Sequence, residues 1–268
     1  MPKLVEVLSS PELDHDCRSD GIAAVVSALD STADEGATCL QVFSSSIDGA
    51  AALLACSVNV TAALVHTLQQ SGSHPSCPAA IAAMQCLANL SRTHKGVQAA
   101  LQAELPLSIT ETVKQVQVCK GEDLWRQQLC TAAAACLQHM CQHTDARPAV
   151  QAAGAIPLLA QLCDLDRWSM EVVRYASAAL ASIAVGPDVK LQWETFEAAG
   201  TALMALLKCS DSAAAGNAKL AIRNTCDHPK ARIALQKVMK EDAAEYLQGL
   251  PDLPPDFRYH VPKAAVTY

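Results

Sequence analysis

The residues of this 268-residue chain best suited to chemistry are its 12 cysteines and 8 histidines. Thiolates and imidazoles ligate zinc, and a Cys beside a His is an activated nucleophile. Cys136, His139 and His143 fall on one face of a predicted helix, with Cys130 and Cys141 near them in sequence, so a metal site can be drawn there. Against it, the chain contains no Cys-x-x-Cys pair, and Cys136 occupies a position that recurs along the chain as Cys39 and Cys86. A thiol that repeats in register with small residues reads as packing. A Cys nucleophile with His66 or His94 as its base lacks any motif that would bring the pair together. The 11 glycines stand singly, which excludes a nucleophile elbow, a phosphate loop and a dinucleotide fingerprint. No metal, no cofactor and no enzymatic activity are expected.

The register that contains those cysteines is a helical repeat. A small residue, a second small residue three positions on and then Leu or Ile recur as Gly36, Cys39, Leu40; Ala83, Cys86, Leu87; Ala133, Cys136, Leu137; Ala176, Ala179, Leu180; and Ala218, Ala221, Ile222. The anchors at 40, 87, 137, 180 and 222 are roughly 42 to 50 residues apart, the period of a helical solenoid. At about 100° per residue, positions −4, −1, 0 and +3 relative to the anchor share one helix face. Position +3 holds Phe43, Leu90, Met140, Ile183 and Thr225, so this face should be the core. Position +2 points away and holds Val42, Asn89, His139, Ser182 and Asn224.

Composition agrees with thin helical layers. Aromatic residues make up only 4% of the chain, and small and aliphatic residues dominate. The fold class expected is all-α, a right-handed α-solenoid of about five repeats followed by an extended C-terminal tail. The first 20 residues include Glu6, Glu12, Asp14 and Asp16 and no apolar leader, so the cysteines are expected to be reduced in a cytoplasmic compartment.

Between anchors the chain resembles the armadillo repeat family, whose units have three helices with a Gly-x-Ile-Pro-x-Leu entry to the second and an Ala-Leu-x-Asn-Leu third helix. Gly154-Ala-Ile-Pro-Leu-Leu159 with Ala179 to Ile183 carries this resemblance, as does Cys86-Leu-Ala-Asn-Leu-Ser91. Gly21 to Leu29 and Gly200 to Lys208 occupy the place of second helices, and Pro2 to Pro11 that of a truncated leading unit. The repeat domain is placed at residues 1–240, with units near 1–48, 49–104, 105–153, 154–199 and 200–240. No Gly entry exists in 105–128. Residues 241–268 are read as a short helix end and a tail rich in Pro and aromatic residues. In the family, Asn residues at +2 line a concave groove and bond the backbone of an extended peptide. The resemblance therefore nominates Asn89 and Asn224, with His139 and Ser182 as substitutes. Import-receptor-type repeats add a Trp one turn earlier, but Gln85 and Leu220 stand there, and Trp125, Trp168 and Trp193 are expected to fall before or outside the anchor helices.

Other features suggest partners. The net charge is −7, yet Lys219, Arg223, Lys230, Arg232, Lys237 and Lys240 meet only Asp227 within 217–240. Lys230, Arg232 and Lys237 are therefore candidates for docking an acidic surface such as that of tubulin. Phe257, Tyr259 and Tyr268 lie on a Pro-stiffened segment suited to docking. The stretch 49–91 carries no Asp, Glu, Lys or Arg and is either covered by a partner or coated by neutral polar residues. The reading is a non-catalytic protein-interaction scaffold or structural subunit of a large intracellular assembly, cytoskeletal or ciliary by composition. The alternative is an adaptor that captures a linear peptide in its groove. Neither a nucleic acid nor a membrane partner is expected.

The alignment makes a sharp prediction. Ala176→Leu should destabilise the chain by about 1–3 kcal/mol in thermal melting through overpacking, whereas a bulky residue at Ser182 should mainly affect partner binding.

Overall fold

The computed structural model describes residues 2–10, 12–70, 78–118, 123–185, 193–226 and 232–233. Among them are helices and no strand. In chain order these are α1 (Pro2–Leu8), α2 (His15–Ala28), α3 (Ala33–Ser44), α4 (Ile47–Ala55), α5 (Val60–Gln70), α6 (Pro78–Leu90) and α7 (His94–Gln102). They continue as α8 (Leu105–Val118), α9 (Asp123–Gln142), α10 (Arg147–Ala152), α11 (Ala155–Leu162), α12 (Met170–Ile183), α13 (Trp193–Leu207) and α14 (Ser212–Cys226). The third helices α3, α6, α9, α12 and α14 stack in sequence order, and α5, α8, α11 and α13 form a second row beside them. Short first helices α4, α7 and α10 turn the chain from one unit to the next. The result is an all-α solenoid in which each unit packs chiefly on its neighbours.

The repeated small residues explain how closely the third helices approach. Ala83, Ala133, Ala176, Ala179, Ala218 and Ala221 are fully buried, as are the anchors Leu40, Leu87, Leu137 and Leu180, and Ile222 is buried beside them. Small side chains at −4 and −1 leave room for the neighbouring ridge. In this slot Cys adds a polar link that Ala cannot make. The Cys86 thiol lies 3.5 Å from the Leu40 carbonyl, and Cys136 Sγ lies 3.4 Å from Ser91 Oγ.

A polar ladder runs beside this apolar seam. Asn89 Nδ2 donates to Ser44 Oγ at 3.1 Å, His139 Nδ1 to the Ala88 carbonyl at 3.0 Å, and Asn224 Nδ2 to the Ala181 carbonyl at 3.1 Å. In each case a +2 side chain reaches the end of the preceding third helix. The starts of these helices are tied back as well. Asp34 on α3 accepts from the Ala79 amide of α6 at 2.9 Å, and Gln127 on α9 accepts from the Ser169 amide at the start of α12, also at 2.9 Å. Arg174 on α12 pairs with Asp211, whose carboxylate also accepts from the Ala214 amide. Such bonds satisfy amides that a helix start leaves open.

The corners have their own chemistry. Helices α3 and α4 meet at 120°. The Ser46 hydroxyl accepts from the Gly49 amide, and 47 residues later Thr93 accepts from Gly96. A Cβ at Gly49 or Gly96 would stand 1.9 Å from the carbonyl oxygen of Phe43 or Leu90, the +3 residue of the helix just ended. Only glycine permits so tight an exit. Entry to the second helix uses a different device. Gly154 takes φ 76° before α11, and Glu104 takes φ 54° at the equivalent place before α8. The entry missing from the sequence at 105–128 is therefore present in the backbone, supplied by a residue that is strained there.

Several expectations need correction. The boundary at 48/49 cuts α4 and that at 199/200 cuts α13, because Gly49 and Gly200 lie inside helices and do not open them. The boundaries at 104/105 and 153/154 separate a first helix from its own second helix, so the units run from about α4, α7 and α10 onward. Gly21 likewise sits within α2. Trp125 does not precede an anchor helix, because α9 has 20 residues and begins at Asp123. The tail expected at 241–268 lies outside the described residues.

Glu104→Gly should raise stability by about 0.5–1 kcal/mol in thermal or urea unfolding, by relieving the left-handed backbone, while Gly96→Ala should lower it by about 1–3 kcal/mol. Burial pushes the His139 pKa below its ordinary value, outweighing the Ala88 carbonyl, and Arg92 adds to the depression. A depressed imidazole favours the folded state most when neutral, so its contribution is present above about pH 6.5 and is lost as pH falls through the lower folded value. His139→Gln should flatten that part of the loss of melting temperature between pH 7.5 and 5.

Candidate functional site

The third helices present a groove of about 420 Å³ across four units. Gln41 of α3, Gln85, Ala88 and Asn89 of α6, Gln127, Gln128, Thr131 and Ala135 of α9, and Ser169, Glu171 and Tyr175 around α12 line it, with Leu124 at its edge. In repeat coordinates these include −2 (Gln85, Ala135), +1 (Gln41, Ala88) and +2 (Asn89). Positions −2 and +2 are one turn apart and therefore share a face. Ala88 and Ala135 form a low floor between the amides.

The amides are not equally available. Gln127 is committed, its Nε2 donating to the Arg167 carbonyl at 3.1 Å and its oxygen accepting from Ser169. Asn89 is held by Ser44. Among the described residues, the side-chain amides of Gln41, Gln85 and Gln128 make no hydrogen bond. Each offers a donor pair and an acceptor, the functionality that complements an extended backbone. Leu124 is 71% exposed, and the half-buried Tyr175 adds an aromatic surface. Glu171 is the one charged residue among those lining the groove.

The nominated residues are distributed, not gathered. Asn89 lines the groove; His139, Ser182 and Asn224 lie on successive third helices, half-buried, with His139 and Asn224 bonded to the preceding unit. Position +2 therefore does not simply face outward. Arg232 is corrected as a docking charge, since it is buried and its Nε donates to the Cys226 carbonyl at 2.8 Å. Arg147 makes the same bond to Cys141 at 2.7 Å, ten residues after its own anchor, so both arginines finish a helix end. Lys230, Lys237, Phe257, Tyr259 and Tyr268 lie outside the described residues. Gln85 and Gln128 were legible only as neutral polar positions, because sequence does not say which polar face lines a concavity.

The cysteines behave as packing groups. Burial pushes the Cys86, Cys130, Cys136, Cys141 and Cys163 thiols up to about 12. None of these is a thiolate near neutral pH, so none is a ready nucleophile or ligand. Cys136 bonds Ser91 while His139 turns to Ala88, which separates the ligands drawn from sequence. His66 lies beside Gln70, 3.2 Å away, and His94 faces Asp145. In the stretch 49–91, exposed described residues are small or neutral polar ones such as Ala51, Ser57, Asn59, His66 and Gln69, with no large exposed hydrophobic among them. No single helix among the described residues is long and apolar enough to cross a membrane.

Neither a protein-family profile nor a curated protein matches the sequence. Solved structures do match the fold. A designed armadillo repeat protein in complex with the peptide (KR)4 is 21% identical, with a TM-score of 0.56 over 94% of this chain and 92% of that one. A second designed armadillo repeat protein is 23% identical, with a TM-score of 0.57 over 94% and 93%. Computationally designed armadillo repeat proteins for modular peptide recognition give 22% identity and a TM-score of 0.58, again over 94% and 93%. With its stacked third helices, left-handed entries and two helix rows, the chain has the armadillo-like repeat fold along nearly its whole length.

Proposed function

We propose that this chain is a non-catalytic protein-interaction scaffold that holds an extended polypeptide segment against its row of third helices. The observation that carries this reading is the groove in which Gln41, Gln85 and Gln128 present unbonded side-chain amides beside Asn89. Amides can pair with both the N–H and C=O groups of a strand-like segment, and the small floor at Ala88 and Ala135 admits its side chains. Leu124 and Tyr175 supply an apolar anchor point. One carboxylate is a poor match for a ligand as basic as the (KR)4 peptide bound by a designed relative in fold. The segment is therefore uncharged or nearly so in its central residues, with an apolar side chain near Tyr175. That chemistry also disfavours a nuclear-import role.

Membership of a cytoplasmic cytoskeletal or ciliary assembly belongs to the same proposal and is supported by composition. The basic end would then meet an acidic surface, and Lys219 and Arg223 are exposed on α14, where such a surface could dock. With Arg232 buried, these two are the described charges available to it.

Peptides selected from a display library should bind the full chain, and the Gln85→Arg, Gln128→Arg double variant should weaken the best of them at least tenfold by fluorescence anisotropy. Gln85 is half-buried and Gln128 exposed, and both line the groove, so the melting temperature should change little. Equal binding by the variant would move the interaction off the groove.

A further inference from the structure

The corner between units carries a cluster that the groove does not use. We propose that His94, His143 and Asp145 form a binding site for a transition-metal dication of the zinc class. His94 opens α7, while His143 and Asp145 stand in the turn between α9 and α10, so the site joins the starts of two successive units. One ligand atom from each residue lies within 4.8 Å of the other two. His94 Nε2 is 3.6 Å from Asp145 Oδ2, and the two imidazoles are 5.5 Å apart, inclined at 60°. Zinc bonds of about 2.0–2.2 Å in a tetrahedral shell put two ligands of one ion about 3.3–3.6 Å apart, so one pair already fits and a side-chain rotation closes the rest.

The surroundings hold these groups in place. Gln98 donates from Nε2 to Asp145 Oδ2, the kind of outer bond that orients a ligating carboxylate. The His143 amide bonds the Met140 carbonyl at 3.0 Å and the Ala146 amide bonds the His143 carbonyl at 3.1 Å, while Arg147 fixes the turn through Cys141. On the other side, the Thr93 cap pins the start of α7. Two imidazoles and one carboxylate are nitrogen and oxygen donors of the type zinc takes in three-ligand sites, with water completing the shell. The side chains of His94 and Asp145 are partly exposed, so the ion has a path in. A bound ion would clasp two neighbouring corners and stabilise the stack by mass action.

The test uses the full chain without a polyhistidine tag, in a non-thiol reductant, titrated with zinc chloride by calorimetry and by melting. One equivalent should bind and raise the melting temperature. His143→Ala and Asp145→Asn should each weaken binding at least tenfold and remove the rise, while melting without metal stays near wild type. Cobalt in place of zinc should give weak visible bands and no thiolate charge-transfer band. Absence of binding, which would leave His94 and Asp145 a simple polar contact, overturns the proposal. So does unchanged affinity in the variants or a thiolate band, either of which would place the ion on cysteines.

Discussion

Everything in this solenoid depends on how closely one third helix can approach the next. Glycine, alanine or cysteine at two positions per unit sets that distance, and the branched anchor beside them fills the space that remains. Each unit is too small to bury its own face, so stability is shared across interfaces and a single oversized side chain is felt by two units. Cysteine suits the slot because it is slightly larger than alanine and its thiol can meet a carbonyl or hydroxyl of the preceding helix. The same burial that makes it a good packing group makes it chemically quiet.

The polar ladder beside the seam has a second consequence. Asn89, His139 and Asn224 each bind the end of the preceding third helix, so the residues that the family resemblance nominates for a peptide already serve the stack. Asn89 spends one amide N–H on this bond, which fixes the direction of the rest of its side chain. The neighbouring glutamines at −2 and +1 have no such prior engagement, so the extended segment proposed for the groove would gain hydrogen bonds there. Bonds that tie the stack and amides left open to a ligand thus occupy adjacent positions of one helix face.

Corners show the same economy of means. Ser46 and Thr93 cap helices whose third residue is a glycine, because a Cβ there would run into the carbonyl of the helix just ended. The turn after α9 uses Arg147 to hold its carbonyl end and so sets His143 and Asp145 beside His94 of the previous corner. Residues 49 and 51 positions apart in sequence become neighbours because the repeat returns the chain to nearly the same place.

The sequence by itself determined the repeat, the all-α class, and the burial of positions −4, −1, 0 and +3, since periodicity reports directly which face of a helix meets its neighbour. It also assigned Cys39, Cys86 and Cys136 to packing. It misplaced unit boundaries, because a glycine inside a helix at a tight corner looks like a glycine that opens one, and it saw no entry at Glu104 because backbone strain leaves no mark in residue type. Tertiary structure alone decided that +2 side chains bond the preceding unit, that Arg232 is buried, that Gln41, Gln85 and Gln128 share a concavity, and that His94, His143 and Asp145 meet. The reason is physical: periodicity fixes the direction of a side chain within its own helix, whereas its partner depends on the offset between helices, which only the packed stack sets.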